Sequence, residues 1–306
     1  MSNAFQSPIT ATTRFCAVYG FPIKHSASPA MHNAALAALN LNWRYLAFPV
    51  PPDDLATALL GAARMRFIGL NLTVPHKILA LNLMDDLDPT AREWGAVNTV
   101  RFEGLNGSKD WVPLAELPPE TEGPIRAKGF NTDADAIIRA LREDLTWTPE
   151  GSHILLLGAG GAGRVAALRL AAEGVSKLYL VNRTASKAQD IATEIRSRYH
   201  TTQVEVGYPK TEVDLLINAS SLGLRPDDPS PLDPAQFSHN RARLVYDMIY
   251  RPRETPFLAA ARLAGCQTAN GLGMLLYQGA KALEIWTGKS APIRVMREAL
   301  NSAVYV

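Results

Sequence analysis

The sequence predicts an α/β protein with two domains, and three observations carry that prediction. At 306 residues, the chain is about twice as long as a typical single domain. Apolar, strand-like runs alternate with amphipathic, helix-like segments from Phe15 onwards. In the second half, an apolar strand at 153–157 leads into a glycine-rich turn and a helix, an order typical of a doubly wound nucleotide-binding sheet.

The pattern of the first half predicts an α/β unit with a largely parallel sheet. Ser28 and Pro29 suit the N-cap and first position of a helix, and Asn40 is a suitable end for it. The other elements expected here are strands at 15–19, 44–49, 67–72 and 96–102 and helices at 53–64 and 75–83. Residues 103–128 are rich in glycine and proline without periodicity, so we expect a long loop outside both sheets, with a structured hairpin as the alternative.

The second half predicts the doubly wound domain itself. A helix is expected from Asn131, because Asp133 and Asp135 fall in its first turn, where acidic side chains complement the helix dipole. The elements that follow are strands at 153–157, 177–181, 203–206, 213–218, 244–248 and 266–269, with helices that end at 173, 199 and 264. Two helices, at 272–286 and 291–304, are expected to close the chain.

Composition and charge exclude several classes of function. Lys and Arg number 31 and Asp and Glu 29, and a net charge of +2 gives no argument for nucleic acid or an anionic membrane as a partner. Cys16 and Cys266 form no disulfide framework and no C-x-x-C pair, so we expect a reducing, cytoplasmic compartment. The histidines show no metal-ligand spacing, and no metal is expected. No apolar run reaches membrane-spanning length, and residues 1–13 are expected to lie outside the fold.

The glycine-rich turn at 158–163 is the clearest binding motif. Gly158 permits a tight turn after the strand, Gly160 lets the backbone approach a pyrophosphate, and Gly163 lets helix and strand pack closely. The helix N-terminus then offers N–H groups and its positive dipole end to the phosphates. The flanking strand and helix favour a dinucleotide site over the alternative, a glycine-rich turn without a ligand.

The end of the next strand indicates which dinucleotide binds. An acidic residue there would bond the ribose 2′-hydroxyl of NAD, whereas a guanidinium can bond a 2′-phosphate in a fork. This chain has Asn182, Arg183 and Thr184 at that place and no acid. The sequence therefore favours NADP, with a solvated surface arginine as the alternative.

Polar residues at strand ends in the first half are candidates for substrate contacts. Ser26 and Ser28 lie just before a helix N-terminus, an arrangement that suits a carboxylate, although Ser28 could simply cap the helix. Lys77 follows a strand at the edge where α/β proteins bind ligands, and a partly buried lysine can serve as general acid or base. A solvated helix lysine is the alternative. Asn98 and the 131–133 segment lie at strand-to-loop junctions, where turn or cap roles are also common.

Together these segments resemble the shikimate dehydrogenase family. The matches appear in family order and cover nearly the whole chain, which makes the resemblance highly specific. The matching segments lie at 20–29, 71–77, 95–100, 129–133, 158–163, 182–184, 218–220, 250–252 with 255–256, 271–278 and 286–288.

The resemblance implies a fold and a reaction. The first domain would be discontinuous, with residues 1–130 and 271–306 forming an α/β substrate-binding domain. Residues 131–270 would form a Rossmann NADP-binding domain, with the active site in a cleft between the two. In this family NADPH reduces the ketone of 3-dehydroshikimate to shikimate, a step of aromatic amino acid biosynthesis. The partner implied is that small molecule, and the protein would be a monomer or homodimer.

The resemblance also assigns roles to individual residues. It implies that Ser26 and Ser28 hold the substrate carboxylate, and that Lys77 and Asp133 act at the reacting carbon, with Lys77 as proton donor. Contacts to the ring hydroxyls and the ketone are implied for Thr73, Asn98, Tyr250 and Gln278. The residues implied to bind the cofactor are Gly158, Ala159, Gly160, Gly161, Ala162, Gly163, Asn182, Arg183, Thr184, Met248 and Gly271.

Two departures from the family pattern keep alternatives open. The stretch between Val100 and Gly129 has 28 residues, more than a compact hairpin needs, and Ala134 stands where the family usually has glycine. A quinate or quinate/shikimate dehydrogenase of the same family is the close alternative. A ligand-sensing regulator without catalysis is the alternative from another class, and retention of Lys77 and Asp133 argues against it.

Overall fold

The structure is a computed structural model that describes residues 8–225 and 227–305. Internal contacts divide the chain into two compact units: the residues up to Thr132 with Leu276–Val304, and Asp133–Leu275 with Tyr305. Within the described ranges, no helix is long and apolar enough to cross a membrane. Of the N-terminal segment expected to lie outside the fold, residues 1–7 are not among the described residues.

The described elements alternate between strands and helices, as expected for the α/β class. The strands are β1 (Arg14–Gly20), β2 (Trp43–Pro49), β3 (Gly69–Leu72), β4 (Asp86–Leu87), β5 (Thr99–Leu105), β6 (Trp111–Pro113), β7 (Ile125–Phe130), β8 (His153–Leu157), β9 (Lys177–Val181), β10 (Gln203–Val206), β11 (Val213–Asn218), β12 (Ala242–Asp247) and β13 (Gln267–Asn270). The α-helices are α1 (Ser28–Ala38), α2 (Leu55–Arg64), α3 (His76–Leu79), α4 (Pro89–Trp94), α5 (Asp133–Leu145), α6 (Gly161–Ala172), α7 (Ala185–Arg198), α8 (Pro256–Leu263), α9 (Leu272–Thr287) and α10 (Ile293–Tyr305).

The first unit is built on a mixed sheet, so the expectation of a largely parallel sheet is wrong. The strand order is β2-β1-β3-β5-β7-β4, with β6 paired to β5. β1 runs parallel to β2 and β3, whereas β5 runs antiparallel to β3, β6 and β7. Connection length explains one of these pairs: β5 and β6 are joined by the short turn at 106–110, which can connect only antiparallel neighbours, because a parallel crossover needs a dozen or more residues.

Residues 103–128 contribute three strand segments to this sheet, so the expected long loop is wrong and the hairpin alternative is correct. β5 begins at Thr99, not at 96, and extends to Leu105, and β7 covers 125–130. Glu103 on β5 is buried and forms ion pairs with Arg101 and with Arg126, the latter at 2.6 Å. These paired charges make the segment look solvent-exposed in the sequence, although pairing is what allows the charge to be buried.

Helix α1 confirms the expected end but not the expected cap. Ser28 is the first residue of the helix, and Ala27 occupies the N-cap position with no side-chain hydrogen bond. The expectation that Ser28 caps the helix is therefore wrong, because Ser28 already lies one position inside it. Asn40 follows the helix with a φ of 53°, the left-handed conformation that asparagine tolerates at helix ends.

The second unit is the doubly wound domain that the sequence predicts. Its sheet is parallel throughout, in the order β10-β9-β8-β11-β12-β13. Numbered within the unit, that strand order is 3-2-1-4-5-6, the arrangement of dinucleotide-binding domains. The chain adds strands towards one edge from β8 to β10 and towards the other edge from β11 to β13, so the order reverses between the parallel neighbours β8 and β11. Buried aliphatic and aromatic side chains, among them Leu155, Leu216 and Phe257, form a core cluster against this sheet. Ligands of such sheets bind at the carboxyl ends of the strands near that reversal.

Candidate functional site

The turn after β8 is shaped by two glycines that leave no room for a side chain. Gly158 has a φ of +110°, and a Cβ there would lie 2.8 Å from the backbone of Ala219 and Ser220. A Cβ on Gly163 would lie 2.3 Å from the Gly158 carbonyl oxygen. At Gly160 and Gly161, by contrast, an added Cβ would meet nothing within 4 Å. The turn is thus packed tightly against its own domain on one side and open on the other.

The open side of this turn has the features of a phosphate site. Helix α6 begins at Gly161 and its first turn carries no acidic side chain, so its N–H groups and dipole favour an anion. Asn182 accepts a hydrogen bond from the Ala159 N–H at 3.0 Å and donates to the Thr184 carbonyl oxygen at 2.9 Å. This amide ties the glycine turn to the loop that carries the exposed Arg183. The residues present therefore fit a dinucleotide with an additional phosphate on its ribose.

Two further cofactor candidates, Met248 and Gly271, are in close contact. Met248 directly follows β12, and Gly271 follows the neighbouring strand β13. A Cβ on Gly271 would lie 2.0 Å from the Met248 carbonyl oxygen, so only glycine fits. Tyr250, the substrate candidate on the same loop, is half-buried. All three lie where the second unit's strands reach their carboxyl ends.

In the first unit, Ser26 and Ser28 are close to each other at the start of α1. The Ser26 hydroxyl oxygen accepts a hydrogen bond from the Ser28 N–H at 3.3 Å, so Ser26 closes the turn that leads into the helix. Ser28 is buried, whereas Ser26 remains half-exposed. Gln278, the candidate from α9, is largely buried in the same unit.

A buried amide–hydroxyl network joins β2, β3 and β5 of the first unit to the segment that follows β7. Tyr45 donates from its hydroxyl to Asn71 Oδ1 at 2.7 Å, and Asn71 Nδ2 donates to Thr99 Oγ1 at 3.0 Å. Asn98, the next residue along the chain, bonds Thr132 through both its amide nitrogen and its amide oxygen. Sequence reasoning identifies Asn98 but misses Tyr45, Asn71 and Thr99 as members of one network, because no local pattern links residues so far apart.

Lys77 and Thr73 lie just beyond the end of β3, beside this network. Lys77 is half-buried on α3, and its carbonyl oxygen accepts a hydrogen bond from the Val97 N–H at 2.8 Å. Thr73 is also half-buried and is held through its N–H by the Tyr19 carbonyl oxygen at 2.9 Å. The neighbouring His76 is fully buried, and burial lowers its pKa, so it is neutral near pH 7. Lys77 is therefore the accessible cation of this turn.

Asp133 is the first residue of α5 and is almost completely buried. It directly follows Thr132, which Asn98 holds, and Asn131, whose amide nitrogen donates to the Ala96 carbonyl oxygen at 2.9 Å. A carboxylate at the first position of a helix is favoured by the helix dipole. Among the described residues, no group of His, Cys, Asp and Glu side chains has the arrangement of a metal site.

The doubly wound sheet, the glycine turn and the loop at 182–184 define the class of protein: an α/β protein with a dinucleotide-binding Rossmann domain. Three sequence models match the chain: the shikimate dehydrogenase substrate binding domain at 18–100, the shikimate/quinate 5-dehydrogenase at 141–222, and the shikimate 5'-dehydrogenase C-terminal domain at 271–300.

Known proteins match the chain along nearly its whole length. A protein of Methanopyrus kandleri named shikimate dehydrogenase (NADP(+)) is 41% identical, over 95% of this chain and 96% of its own. A crystal structure of shikimate dehydrogenase in complex with NADP+ has a TM-score of 0.81 and 33% identity, covering 98% of this chain and 99% of that one. The shikimate 5-dehydrogenase of Thermus thermophilus in complex with NADP(H) and shikimate has a TM-score of 0.77 and 35% identity, covering 95% and 99%. The chain belongs to the shikimate dehydrogenase family.

Proposed function

We propose that this protein is an NADP-dependent shikimate dehydrogenase, which interconverts 3-dehydroshikimate and shikimate. The observation that carries the proposal is the match over 95% of the chain to a protein of that name at 41% identity. The cofactor preference is supported by Arg183, which stands where an NAD-specific domain would have an acid and which Asn182 ties to the glycine turn. Quinate dehydrogenation in the same family is the less favoured alternative.

We infer that the first unit binds the substrate and the second the dinucleotide. This corresponds to a substrate domain of residues 1–130 and 271–306 and a dinucleotide domain of residues 131–270. The chain's own division, which changes unit at Thr132 and at Leu275, supports boundaries close to these. The match of residues 18–100 to a substrate binding domain supports the assignment of roles. The partner we propose is the small-molecule substrate, bound by a cytoplasmic monomer or homodimer.

Substrate recognition is proposed to use neutral donors and acceptors. We assign the substrate carboxylate to Ser26 and Ser28, since two hydroxyls at the start of α1 combine hydrogen bonds with the positive end of a helix dipole. Contacts to the ring hydroxyls and the ketone are assigned to Thr73, Asn98, Tyr250 and Gln278. Asn98 suits such a role because its bonds to Thr132 fix the orientation of its amide before any ligand arrives.

The cofactor is proposed to lie on the carboxyl edge of the second unit's sheet. We assign its phosphates to the glycine turn, Gly158–Gly163, its ribose phosphate to the loop Asn182–Thr184, and further contacts to Met248 and Gly271. The chemistry that NADPH supplies when bound is hydride transfer to the substrate carbonyl carbon. The chain's residues must then place that carbon correctly and manage the proton.

Proton transfer is assigned to Lys77 and Asp133. As the ketone is reduced, negative charge develops on its oxygen, and the Lys77 ammonium donates a proton to it; in the reverse direction Lys77 accepts that proton. We assign to Asp133 the role of orienting Lys77 and biasing it for this proton transfer. The backbone supports this pairing of roles: Val97 holds Lys77, and Asn98 holds Thr132, the residue before Asp133. Two consecutive residues thus anchor both segments.

The decisive experiment is a substrate and cofactor comparison with the purified protein. We expect shikimate with NADP+ to give rapid formation of NADPH, followed by its absorbance, and shikimate with NAD+ or quinate with NADP+ to give much slower turnover. Turnover with quinate that exceeds turnover with shikimate would favour the alternative substrate. Binding of NADP(H) without turnover of either acid would show that the protein is not this enzyme.

A further inference from the structure

A carboxylate with no exposed surface lies at the carboxyl edge of the second unit's sheet. Asp247, the last residue of β12, is 0% exposed. Its Oδ1 accepts hydrogen bonds from Asn218 Nδ2 and from the Ile249 N–H, both at 3.0 Å, and its Oδ2 accepts one from the Thr255 hydroxyl at 2.6 Å. All of these donors are neutral, so the carboxylate is stabilised by oriented dipoles and not by an opposite charge.

Such a carboxylate is costly, because burial of an ionised group without a counter-charge is unfavourable. Burial raises the pKa of Asp247 to about 6, above its ordinary value, which reports the same cost. An apolar residue at the end of β12 would avoid it. The group is thus poorly explained as a source of stability, and the elements that it connects indicate what it does instead.

One of these elements is the segment that supports the glycine turn. Asn218, which donates to Asp247, also accepts hydrogen bonds from the Ser220 N–H at 3.0 Å and the Ser220 hydroxyl at 2.7 Å, and donates to the Leu222 carbonyl oxygen at 3.1 Å. The backbone of Ala219 and Ser220 is the surface against which Gly158 packs. Through Asn218, Asp247 therefore holds the backbone segment against which the glycine turn packs.

The other element is the loop that leaves β12. The bond from the Ile249 N–H to Asp247 closes a turn around Met248. The Met248 N–H donates to the Asn218 carbonyl oxygen at 2.9 Å, and the Met248 carbonyl oxygen lies directly over Gly271. The same carboxylate thus sets the backbone around two residues that we assign to the cofactor.

We propose that Asp247 is a positioning residue for the dinucleotide, whose carboxylate holds the 218–222 segment and the 247–250 loop in the shape that receives NADP(H). This inference rests on the proposed function, since it assumes that this edge binds NADP(H). Asp247 does not touch the ligand; it acts through Asn218 and through the Met248–Ile249 peptide. Its loss should therefore weaken the dinucleotide more than shikimate, for which Tyr250 at the end of the same loop is only one of several proposed contacts.

The test uses the full-length protein and measures NADPH affinity directly by calorimetric titration, besides KM for each substrate. Asp247→Ala should weaken NADPH by about tenfold or more, because the loops must then be ordered on binding. Asp247→Asn should restore most of the affinity, because its amide oxygen can still accept from Ile249 and Asn218 and its amide nitrogen can donate to Thr255. At saturating NADP+, KM for shikimate should rise by a smaller factor than the NADPH dissociation constant in both variants.

The matched control is Thr202→Val. Thr202 is buried in the same unit and donates to the Ala171 and Val175 carbonyl oxygens, but it lies just before β10, at the opposite edge of the sheet. Its loss should lower Tm by several degrees without changing NADPH affinity. If Asp247→Ala behaves like this control, with lower Tm and unchanged NADPH affinity, the positioning role is wrong.

A milder variant covers the case in which Asp247→Ala does not fold. Ser220→Ala removes the hydroxyl that Asn218 and the Leu222 N–H both bond, at a half-buried position. It should weaken NADPH severalfold and leave KM for shikimate unchanged, and unchanged NADPH affinity would count against the proposal. If the wild-type protein itself fails to bind NADP(H), it is the proposed function that fails.

Discussion

Asn98 and Thr132 hold each other at two points. The Asn98 amide nitrogen donates to Thr132 Oγ1 at 2.9 Å, and Asn98 Oδ1 accepts from the Thr132 N–H at 2.7 Å. Both residues are almost fully buried, so the pair does not exchange its bonds with water. Because Val97, the residue before Asn98, also holds the backbone of Lys77, one dipeptide of the first unit anchors the segments that carry both proposed proton-transfer groups.

The first prediction is that Lys77→Ala cuts kcat by about 10²–10⁴, the usual contribution of general acid–base catalysis. A group that acts as the reaction proceeds should affect kcat more than KM. Asp133→Asn, which keeps the shape and removes the charge, should also act mainly on kcat. The double variant should lose less than the sum of the two free-energy effects, since both groups serve one proton transfer. Steady-state kinetics of all three variants measure this.

Ser26→Ala is the control for that experiment. Its hydroxyl is assigned to the substrate carboxylate, so its loss should raise KM for shikimate with a smaller change in kcat. The Lys77 and Asp133 variants should therefore lower mainly kcat, whereas Ser26→Ala should raise mainly KM. If Lys77→Ala raised only KM and left kcat intact, Lys77 would be a binding residue and another group would have to donate the proton.

The second prediction concerns the choice of dinucleotide. Arg183→Leu should weaken NADP(H) by about 1.5–3 kcal/mol, the value of hydrogen bonds to a charged group, or roughly ten- to a hundredfold. NAD(H), which lacks the 2′-phosphate, should be little affected. Asn182, which connects the loop to the glycine turn, is left intact. Titration of the variant with both dinucleotides measures the difference, and an equal loss for both would show that Arg183 does not read the phosphate.

The second unit could be predicted from sequence almost to the residue, and the first could not. β8, β9, β10 and β11 have the expected bounds, because each is a short run between clear turn signals. β7 was not predicted because its charged side chain Arg126 pairs with the buried carboxylate of Glu103 on another strand. Sequence periodicity indicates the burial of apolar side chains, but it does not indicate the burial of a charged side chain that depends on a distant ion pair.

The residues of the candidate site also divide into those that the sequence could predict and those that it could not. Residues in local motifs, such as Gly158 and Asn182, could be named from the sequence because neighbours along the chain define the geometry. Tyr45 could not, because its role depends on a hydrogen bond to Asn71, 26 residues away. Contacts between strands that are not adjacent in sequence require the register of the sheet, which the sequence alone does not provide.

The third prediction tests that missed contact. Tyr45→Phe removes the buried hydroxyl that donates to Asn71 Oδ1, leaving a buried acceptor without that donor, and should lower the free energy of unfolding by about 1–3 kcal/mol. Tyr19→Phe is the matched control: Tyr19 is also buried, on β1, and among the described residues its hydroxyl has no hydrogen bond. It should cost less than about 0.5 kcal/mol. Urea denaturation measures both, and equal losses would show that the Tyr45 bond contributes nothing specific.

The fourth prediction concerns the hairpin at 103–128. Replacing residues 106–124 with a tight turn removes β6 and the buried Leu114, whose carbonyl oxygen accepts a hydrogen bond from Arg14 at 2.7 Å. We expect a loss of at least about 2 kcal/mol, the usual cost of removing one buried leucine side chain. Insertion of two glycines after Gly107, in the exposed turn between β5 and β6, should be tolerated within about 0.5 kcal/mol. Equal stability of both variants would show that the hairpin is not part of the core.

The last prediction is a pH dependence of stability that comes from Asp247. Burial raises the pKa of this carboxyl to about 6 from an ordinary value of 3.8. Between those values the folded protein holds a proton that the unfolded chain has released, so the free energy of unfolding falls as pH rises through that window.

The size and test of that effect follow from the same two values. The difference corresponds to at most about 3 kcal/mol, present below pH 4 and lost above pH 6. Asp247→Asn cannot titrate, so its stability should lack this slope. The free energy of unfolding of the wild type minus that of the variant should therefore decrease between pH 4 and 7. The ion pair between Glu254 and Arg262 of α8 is largely exposed and common to both proteins. Urea denaturation at several pH values measures the difference. A difference that rises with pH would mean that the hydrogen bonds from Asn218, Ile249 and Thr255 outweigh burial and favour the ionised form.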